Sequence, residues 1–257
     1  MRAIIKIKAS GEKLGSVYTL DFLVSRVKRF FKNSGKKKAV VGLSGGVDSA
    51  LTCFLLSKAL GSKNVFALHL PYFKNDEAEA NARKVARLCR VSLKKIPIRK
   101  MVDSIAGGLK CDKTRKGNLM ARVRMALLYD FAKKHDALVA GTGNRSELSV
   151  GYFTKYGDGG VDFLPIGRLL KGDARKLALE AGIPPEIVFQ PPTAGLWPGQ
   201  TDEGELQMLY SELDQIIELL AKGEKSKAVR EFGKSKVKRV ELLEQKSAHK
   251  RLSPEVL

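Results

Sequence analysis

The first place where this chain's residue types and spacing could do chemistry is an acid set inside a glycine turn, Leu43-Ser-Gly-Gly-Val-Asp-Ser-Ala50. Before it, Ala39-Val-Val-Gly-Leu43 is a continuous apolar run, as expected of a strand buried on both faces. Behind it, Val47 to Leu60 reads as a helix closed by Gly61. A strand–turn–helix of this kind puts the turn at the carboxyl edge of a sheet, where α/β proteins bind ligands. Gly45 and Gly46 let the backbone come close to a ligand, and Ser44, Ser49 and the free amides of the helix start can hold phosphate oxygens, helped by the helix dipole. No Gly-Lys-Ser/Thr follows, so this is not a Walker loop. Asp48 stands in the phosphate nest, which makes sense if Mg²⁺ lies between it and the phosphates.

Other residues could join that chemistry. Glu147, like Asp48, follows a buried strand at the same sheet edge, so both carboxylates can reach one metal. Lys155 and Lys171 fall in glycine-rich stretches, where a lone lysine has no helix face to decorate and a role in neutralising anions is favoured. Arg122 and Arg124 are two residues apart on a helix and point about 200° apart. Arg124 shares a side with Met120 and Leu127 and is expected beside the core. Arg122, with Asn118 and Tyr129, faces the opposite way and is favoured as a ligand contact.

The elements that must position these residues alternate. A helix is expected over Asp21 to Lys32, strands over Val65 to Leu70, Val91 to Ile98 and Ala137 to Ala140, and helices over Asn75 to Arg90 and Thr114 to Lys134, with a short helical piece ending at Leu109. Strands alternating with helices imply an α/β fold: a doubly wound parallel sheet covered on both faces. From Gly141 to Gly172 the chain is rich in glycine and aromatics, the mark of a functional loop set. A helix over Asp173 to Ala181 and an irregular stretch from Gln190 follow. Thr201 or Asp202 then caps a helix carrying Leu206, Leu209, Leu213, Ile216, Ile217 and Leu220 on one face. The basic tail from Lys222 to Arg251 reads as short packed helices. One domain spanning 1–257 is expected, with a helical C-terminal region from about 201 to 257 packed on it.

Composition removes several classes of function. The 257 residues are 44% hydrophobic and 29% charged, as in a globular protein. No apolar stretch reaches the roughly 18 residues of a spanning helix, and Met1 to Ser10 lacks the apolar region of a secretion signal. No membrane partner and a cytoplasmic location are expected. Cys53, Cys89 and Cys111 make no CxxC pair, and His69, His135 and His249 are scattered, against a zinc, iron–sulfur or disulfide framework. Cys53 and Cys89 are expected in the core and Cys111 in a polar loop. The net charge of +20 fits a nucleic-acid binder, a polyanionic small substrate or, most simply, a solvated basic surface, and decides little alone.

Ser44-Gly-Gly-Val-Asp-Ser49 resembles the signature of the ATP pyrophosphatase superfamily, which cleaves ATP between its α- and β-phosphates and activates a substrate as an adenylate. Later segments narrow this. Gly117-Asn-Leu-Met-Ala-Arg-Val-Arg-Met125, Gly141-Thr-Gly-Asn-Arg-Ser-Glu147, Gly151-Tyr-Phe-Thr-Lys-Tyr-Gly-Asp-Gly-Gly-Val-Asp162, Pro165-Ile-Gly-Arg-Leu-Leu-Lys171 and Pro192-Thr-Ala-Gly-Leu-Trp-Pro-Gly-Gln-Thr-Asp-Glu203 all look like the NAD synthetase family, in family order over about residues 21 to 254. The resemblance implies conversion of nicotinic acid adenine dinucleotide, ATP and ammonia into NAD, AMP and pyrophosphate.

It also implies roles. Gly42, Leu43, Ser44, Gly45, Gly46, Val47, Asp48, Ser49, Thr142, Lys171 and Thr193 would hold ATP; Asp48 and Glu147 would bind Mg²⁺; and Arg122, Lys155, Asp162, His249 and Lys250 would bind the dinucleotide. Asp158 or Asp162 is a candidate to take the proton from ammonia. The 107–117 and 194–201 segments are candidates to close over the site. Gln190 stands where the family commonly has lysine, so one phosphate contact is expected to be missing or supplied elsewhere. Family members form homodimers whose substrate site lies across the interface, which would bring His249 and Lys250 to the partner's ligand. Glutamine-using members carry an extra amidase domain, for which 257 residues leave no room, so free ammonia or a separate subunit is the expected donor. Two competitors stand: a tRNA-modifying member of the superfamily, favoured by the charge, and a non-catalytic nucleic-acid-binding relative. Neither a catalytic cysteine pair nor an RNA-binding appendage supports the first, and the intact Asp48, Glu147 and Lys171 oppose the second.

Overall fold

The computed structural model describes residues 18–254 and 256. The Met1 to Ser10 stretch discussed above therefore lies outside the described residues. Helix α1 (Leu20–Ser34) is capped by the Thr19 hydroxyl and ends at left-handed Gly35. Strand β1 (Lys38–Gly42), helix α2 (Val47–Leu60), strand β2 (Val65–His69), helix α3 (Asp76–Cys89) and strand β3 (Ser92–Lys95) follow in strict alternation. Helices α4 (Arg99–Gly107) and α5 (Lys113–His135) then lead to strand β4 (Ala137–Ala140). The sheet runs β3-β2-β1-β4 and every pairing is parallel.

β1 lies in the middle because its residues are apolar on both sides. Ala39 and Val41 join the core beneath α1, α2 and α3, while Val40 faces the other way with Leu68, Val139, Met120 and Val102 beneath α4 and α5. The period-two alternation of a strand thus serves two cores at once. Cys53 and Cys89 are buried in the first core, as expected, and Cys111 is partly exposed.

Three expectations shift. The third strand spans only Ser92–Lys95 and is mostly exposed, because it is an edge strand that needs just one partner. The helix expected from Asp173 starts two residues earlier, as α7 (Lys171–Glu180), after the six-residue α6 (Arg145–Val150). The single helix expected from residue 201 is two: after the turn α8 (Pro185–Val188), α9 (Asp202–Leu206) stops at left-handed Gln207 and α10 (Tyr210–Ala221) begins afresh. The Glu203 carboxylate accepts the Tyr210 amide across that break, and Leu209 is consequently exposed. Helices α11 (Lys225–Phe232) and α12 (Lys234–Lys246) then pack with α10 around Leu213, Ile216, Val237 and Val240, a third core that also takes in Val150 and Leu170. That packing docks the C-terminal helices on the start of α6 and α7, where the candidate site is built.

Candidate active site

The glycine turn between β1 and α2 is held open from behind. Leu43 extends the β1 ladder by one bond to Leu68, and its carbonyl meets the buried His69 ring at 2.9 Å. Gly45 has φ 97°, and a Cβ there would lie 2.4 Å from the Ala78 carbonyl at the start of α3, so only glycine fits. The buried Ser49 hydroxyl donates to the Gly46 carbonyl at 2.9 Å, accepts the Ser44 amide at 3.2 Å and lies 3.1 Å from the Ser44 hydroxyl. Gly46 is the N-cap of α2 and offers its first amides no side-chain acceptor. Those donors lie at the positive end of a fourteen-residue helix, where negative charge is favoured.

Beside the turn sits a charged cluster that three separate segments assemble. The Lys171 ammonium lies 2.5 Å from Asp48 and 3.5 Å from Glu147, with only 3% of the lysine side chain exposed and 15% and 17% of the two acids. Its face rests over the Tyr210 ring, 5.0 Å from the centroid. Lys171 is the first residue of α7 and not, as its glycine-rich context suggested, part of a loop. Asp48 and Lys171 thus come from the starts of α2 and α7, and Glu147 from the start of α6, all three converging on one point. Two carboxyl groups share one ammonium, so the cluster balances its own charge only while one of the acids keeps its proton. Burial pushes the Glu147 carboxyl up to about 8 against the pull of Lys171, with Asp48 adding to the rise. The same acids hold the Lys171 ammonium charged, its pKa well above the usual lysine range in spite of burial.

Asn144, fully buried, is the hinge of this cluster. Its side chain caps α6 by accepting the Glu147 amide at 3.0 Å, Glu147 returns a bond to the Asn144 amide, and the Asn144 amide nitrogen donates to Asp48 at 3.3 Å. The Asn-x-x-Glu spacing is a capping-box signal that sequence reading passed over. Asp202 was also missed. It accepts bonds from Tyr152 at 3.1 Å and Tyr210 at 3.2 Å, and its amide donates to the carbonyl of Pro192, which precedes the exposed Thr193. Burial raises the Asp202 carboxyl, while Lys171 and the two tyrosines oppose that rise. Thr142 is half-buried just beyond β4, on the way to Asn144.

A second cluster of candidate residues lies between α5 and the 151–162 loop. Arg122 is exposed and reaches the Lys155 carbonyl at 3.5 Å, whereas Arg124 turns inward to the Leu70 carbonyl at 3.0 Å, the division expected from their helical phase. Asn118, one turn before Arg122, accepts from Thr154, and Gly157 lies against Ala121. The Lys155 ammonium donates to the His249 carbonyl at 2.8 Å, and that of Lys250 to the Gly151 and Phe153 carbonyls. The structure therefore gathers Arg122, Lys155, His249 and Lys250 at one rim. Asp158 accepts the Thr154 amide at 2.9 Å there; burial of its carboxylate raises its pKa, against Arg124 and Lys250. Asp162 stands apart, its carboxylate taking the Val139 amide at 2.7 Å and the Tyr129 hydroxyl at 3.0 Å, so that it pins the loop alongside β4. Of the two segments expected to close over the site, 113–117 is the first turn of α5, and Leu196 and Trp197 of the other pack against its Gly117.

The model of the NAD synthase family matches residues 19–254 of this chain. An NH3-dependent NAD+ synthetase of Hyperthermus butylicus is 47% identical over 238 residues, 89% of this chain and 86% of that protein. The protein of the same name from Archaeoglobus fulgidus is 44% identical over 244 residues, 91% of this chain and 95% of that one. Among solved structures, the NH3-dependent NAD synthetase of Campylobacter jejuni superposes with a TM-score of 0.80 at 30% identity, covering 93% of this chain and 96% of the other. The NMN synthetase of Francisella tularensis does so with a TM-score of 0.83, also at 30% identity and with the same coverage.

Proposed function

This chain belongs to the NAD synthase family, and from that we propose that it is an ammonia-dependent ligase completing NAD from nicotinic acid adenine dinucleotide at the expense of ATP, with release of AMP and diphosphate. The observation that carries the chemistry is Lys171 bridging Asp48 and Glu147 beside the amide-rich turn of α2. The turn amides and Ser44 and Ser49 grip the two phosphates that leave as diphosphate. Lys171 offsets charge as the substrate carboxylate approaches the α-phosphate, a step that brings two anions together. The activated acyl group then meets ammonia, and Asp158, whose carboxylate accepts the Thr154 amide, takes the proton. Arg122, Lys155, His249 and Lys250 line the rim that receives the dinucleotide, with Thr142 and Thr193 on the nucleotide side. Asp162 serves the substrate by holding the loop that carries Lys155.

Mg²⁺ fits Asp48 and Glu147. Hard carboxylate oxygens of this kind would hold a magnesium ion that also meets the phosphates of a nucleotide. Glu147 beside Asp48 keeps its proton in the absence of a second cation, and a divalent cation would displace that proton and let both acids stand as carboxylates. When bound, the ion would neutralise the phosphates and orient them.

The finer readings rest on this one. The chain works as a single unit, with the region from about residue 201 packed on the sheet, in the cytoplasm. It pairs as a homodimer, for which Met101, Ile105 and Leu109 supply exposed apolar surface along α4 and just beyond it. The tRNA-modifying alternative is not favoured.

The test is an end-point assay with ATP, Mg²⁺, ammonium and the deamidated dinucleotide, with a parallel arm offering the mononucleotide as acceptor. NAD formed one for one with AMP, and lost in Asp48→Ala, is the expected result. AMP without NAD, or turnover only with the mononucleotide, would overturn the choice of substrate.

A further inference from the structure

Helix α7 starts in an unusual way. Its N-cap residue is Leu170, which has no side-chain oxygen with which to satisfy the helix's first amides. Yet Lys171, the first helical residue, must be fixed firmly enough to hold its ammonium between Asp48 and Glu147. The missing cap comes from elsewhere in the chain. The Lys171 amide donates to the Ser146 hydroxyl oxygen at 3.0 Å, and the Gly172 amide donates to an Asp214 carboxylate oxygen at 2.9 Å. The Ser146 hydroxyl in turn donates to the other oxygen of Asp214 in a short bond. Ser146 is fully buried and immediately precedes Glu147 on α6; Asp214 lies on α10 and is only 8% exposed.

We propose that Asp214 is a positioning residue for the reaction, a remote cap that ties the start of α7 to the start of α6 through Ser146 and so sets the spacing of Lys171 and Glu147 around the ATP phosphates and metal. The proposal deepens the reading of this chain as an ATP-dependent NAD synthetase and rests on it. A negative charge suits the role, because Asp214 sits at the positive end of α7, where an anionic acceptor bonds amides more strongly than a neutral one. Asparagine, of nearly the same shape, cannot replace it. One of its two terminal atoms would be an amide nitrogen facing either the Gly172 N–H or the Ser146 hydroxyl, and one donor of the pair would lose its acceptor. The hydrogen bonds of Asp214 run to Ser146 and Gly172 and not to the second cluster, so its loss should be felt at the nucleotide end and not at the dinucleotide rim.

The experiment compares wild type, Asp214→Asn and Ser146→Ala by steady-state kinetics, by calorimetric binding of Mg·ATP without any acceptor, and by thermal melting. The expected result is a rise of about tenfold in KM for ATP, in the Mg²⁺ half-saturation and in Kd for Mg·ATP. KM for the deamidated dinucleotide stays within about twofold. Ser146→Ala moves the same quantities in the same direction, and the double variant adds little beyond the larger single effect, because both act on one network. The proposal is overturned if both substrates' KM values worsen equally, or if only the melting temperature falls. Should Asp214→Asn fail to fold, Ser146→Ala carries the same pair of outcomes. If wild type makes no NAD, the proposed reaction fails, while Mg·ATP binding by wild type and variants still decides the role of Asp214.

Discussion

Asn144 shows how much one buried residue can do at this site. Its carbonyl oxygen caps α6 and its amide nitrogen holds Asp48, so the orientation of both proposed metal-binding acids passes through a single side chain. Asn144→Ala removes an N-cap and leaves the Asp48 oxygen without that donor. The expected cost is about 1–2 kcal/mol of stability, with a larger relative effect on Mg²⁺ half-saturation than on the melting temperature. Melting with and without Mg·ATP checks it, since equal shifts in both conditions would mean the residue serves stability alone. At this scale the sequence was legible where a residue's neighbours in the chain declare its role. Asp48 stands in a glycine turn, and the helical phase separated outward Arg122 from inward Arg124. Asp202 and Asp214 were not legible in the same way, because their partners lie up to 68 positions away, whereas Asn144 did carry a local sign in its Asn-x-x-Glu spacing.

Helix α5 and the 151–162 loop together carry the second cluster, and a bond between Tyr129 and Asp162 ties them together. Burial, with the Asp162 charge beside it, pushes the Tyr129 hydroxyl up to about 12 from its ordinary 10.0. The folded protein therefore keeps this proton at a pH where the unfolded chain releases it. The stabilising contribution is whole below pH 10 and is lost as pH rises from there through 12. Tyr129→Phe should flatten that part of the alkaline loss by about 1 kcal/mol, after allowance for solvent screening at a half-exposed group. Denaturant midpoints at pH 9, 10 and 11 measure it; an unchanged slope for the variant would mean that other tyrosines dominate. Helix and strand existence was read correctly in this half of the chain, since long alternating periods state it directly. The division of 202–221 into two helices was not, because Leu206, Leu213, Ile216 and Ile217 keep helical spacing across a break that is made by left-handed Gln207 and the Glu203 carboxylate.

Over the whole molecule the net charge of +20 opposes compaction, and the surface ion pairs, such as Lys84 with Glu186 and Lys225 with Glu241, are exposed and worth little each. Screening should thus help the folded state. The melting temperature is expected to climb by a few degrees between about 0.05 and 0.5 M NaCl, and a fall would mean that the pairs outweigh the repulsion. The sequence by itself determined the class of fold, the glycine turn and the family, because a buried strand, a glycine turn and a helix N-terminus are local instructions carried by adjacent residues. Only the tertiary structure decided where Lys171 begins its helix, which acids share its ammonium, and that α10 of the C-terminal region supplies the cap. Those facts depend on side chains meeting across the packing of separate elements, and a buried charge takes its meaning from the partner that packing delivers, whatever its neighbours in the chain.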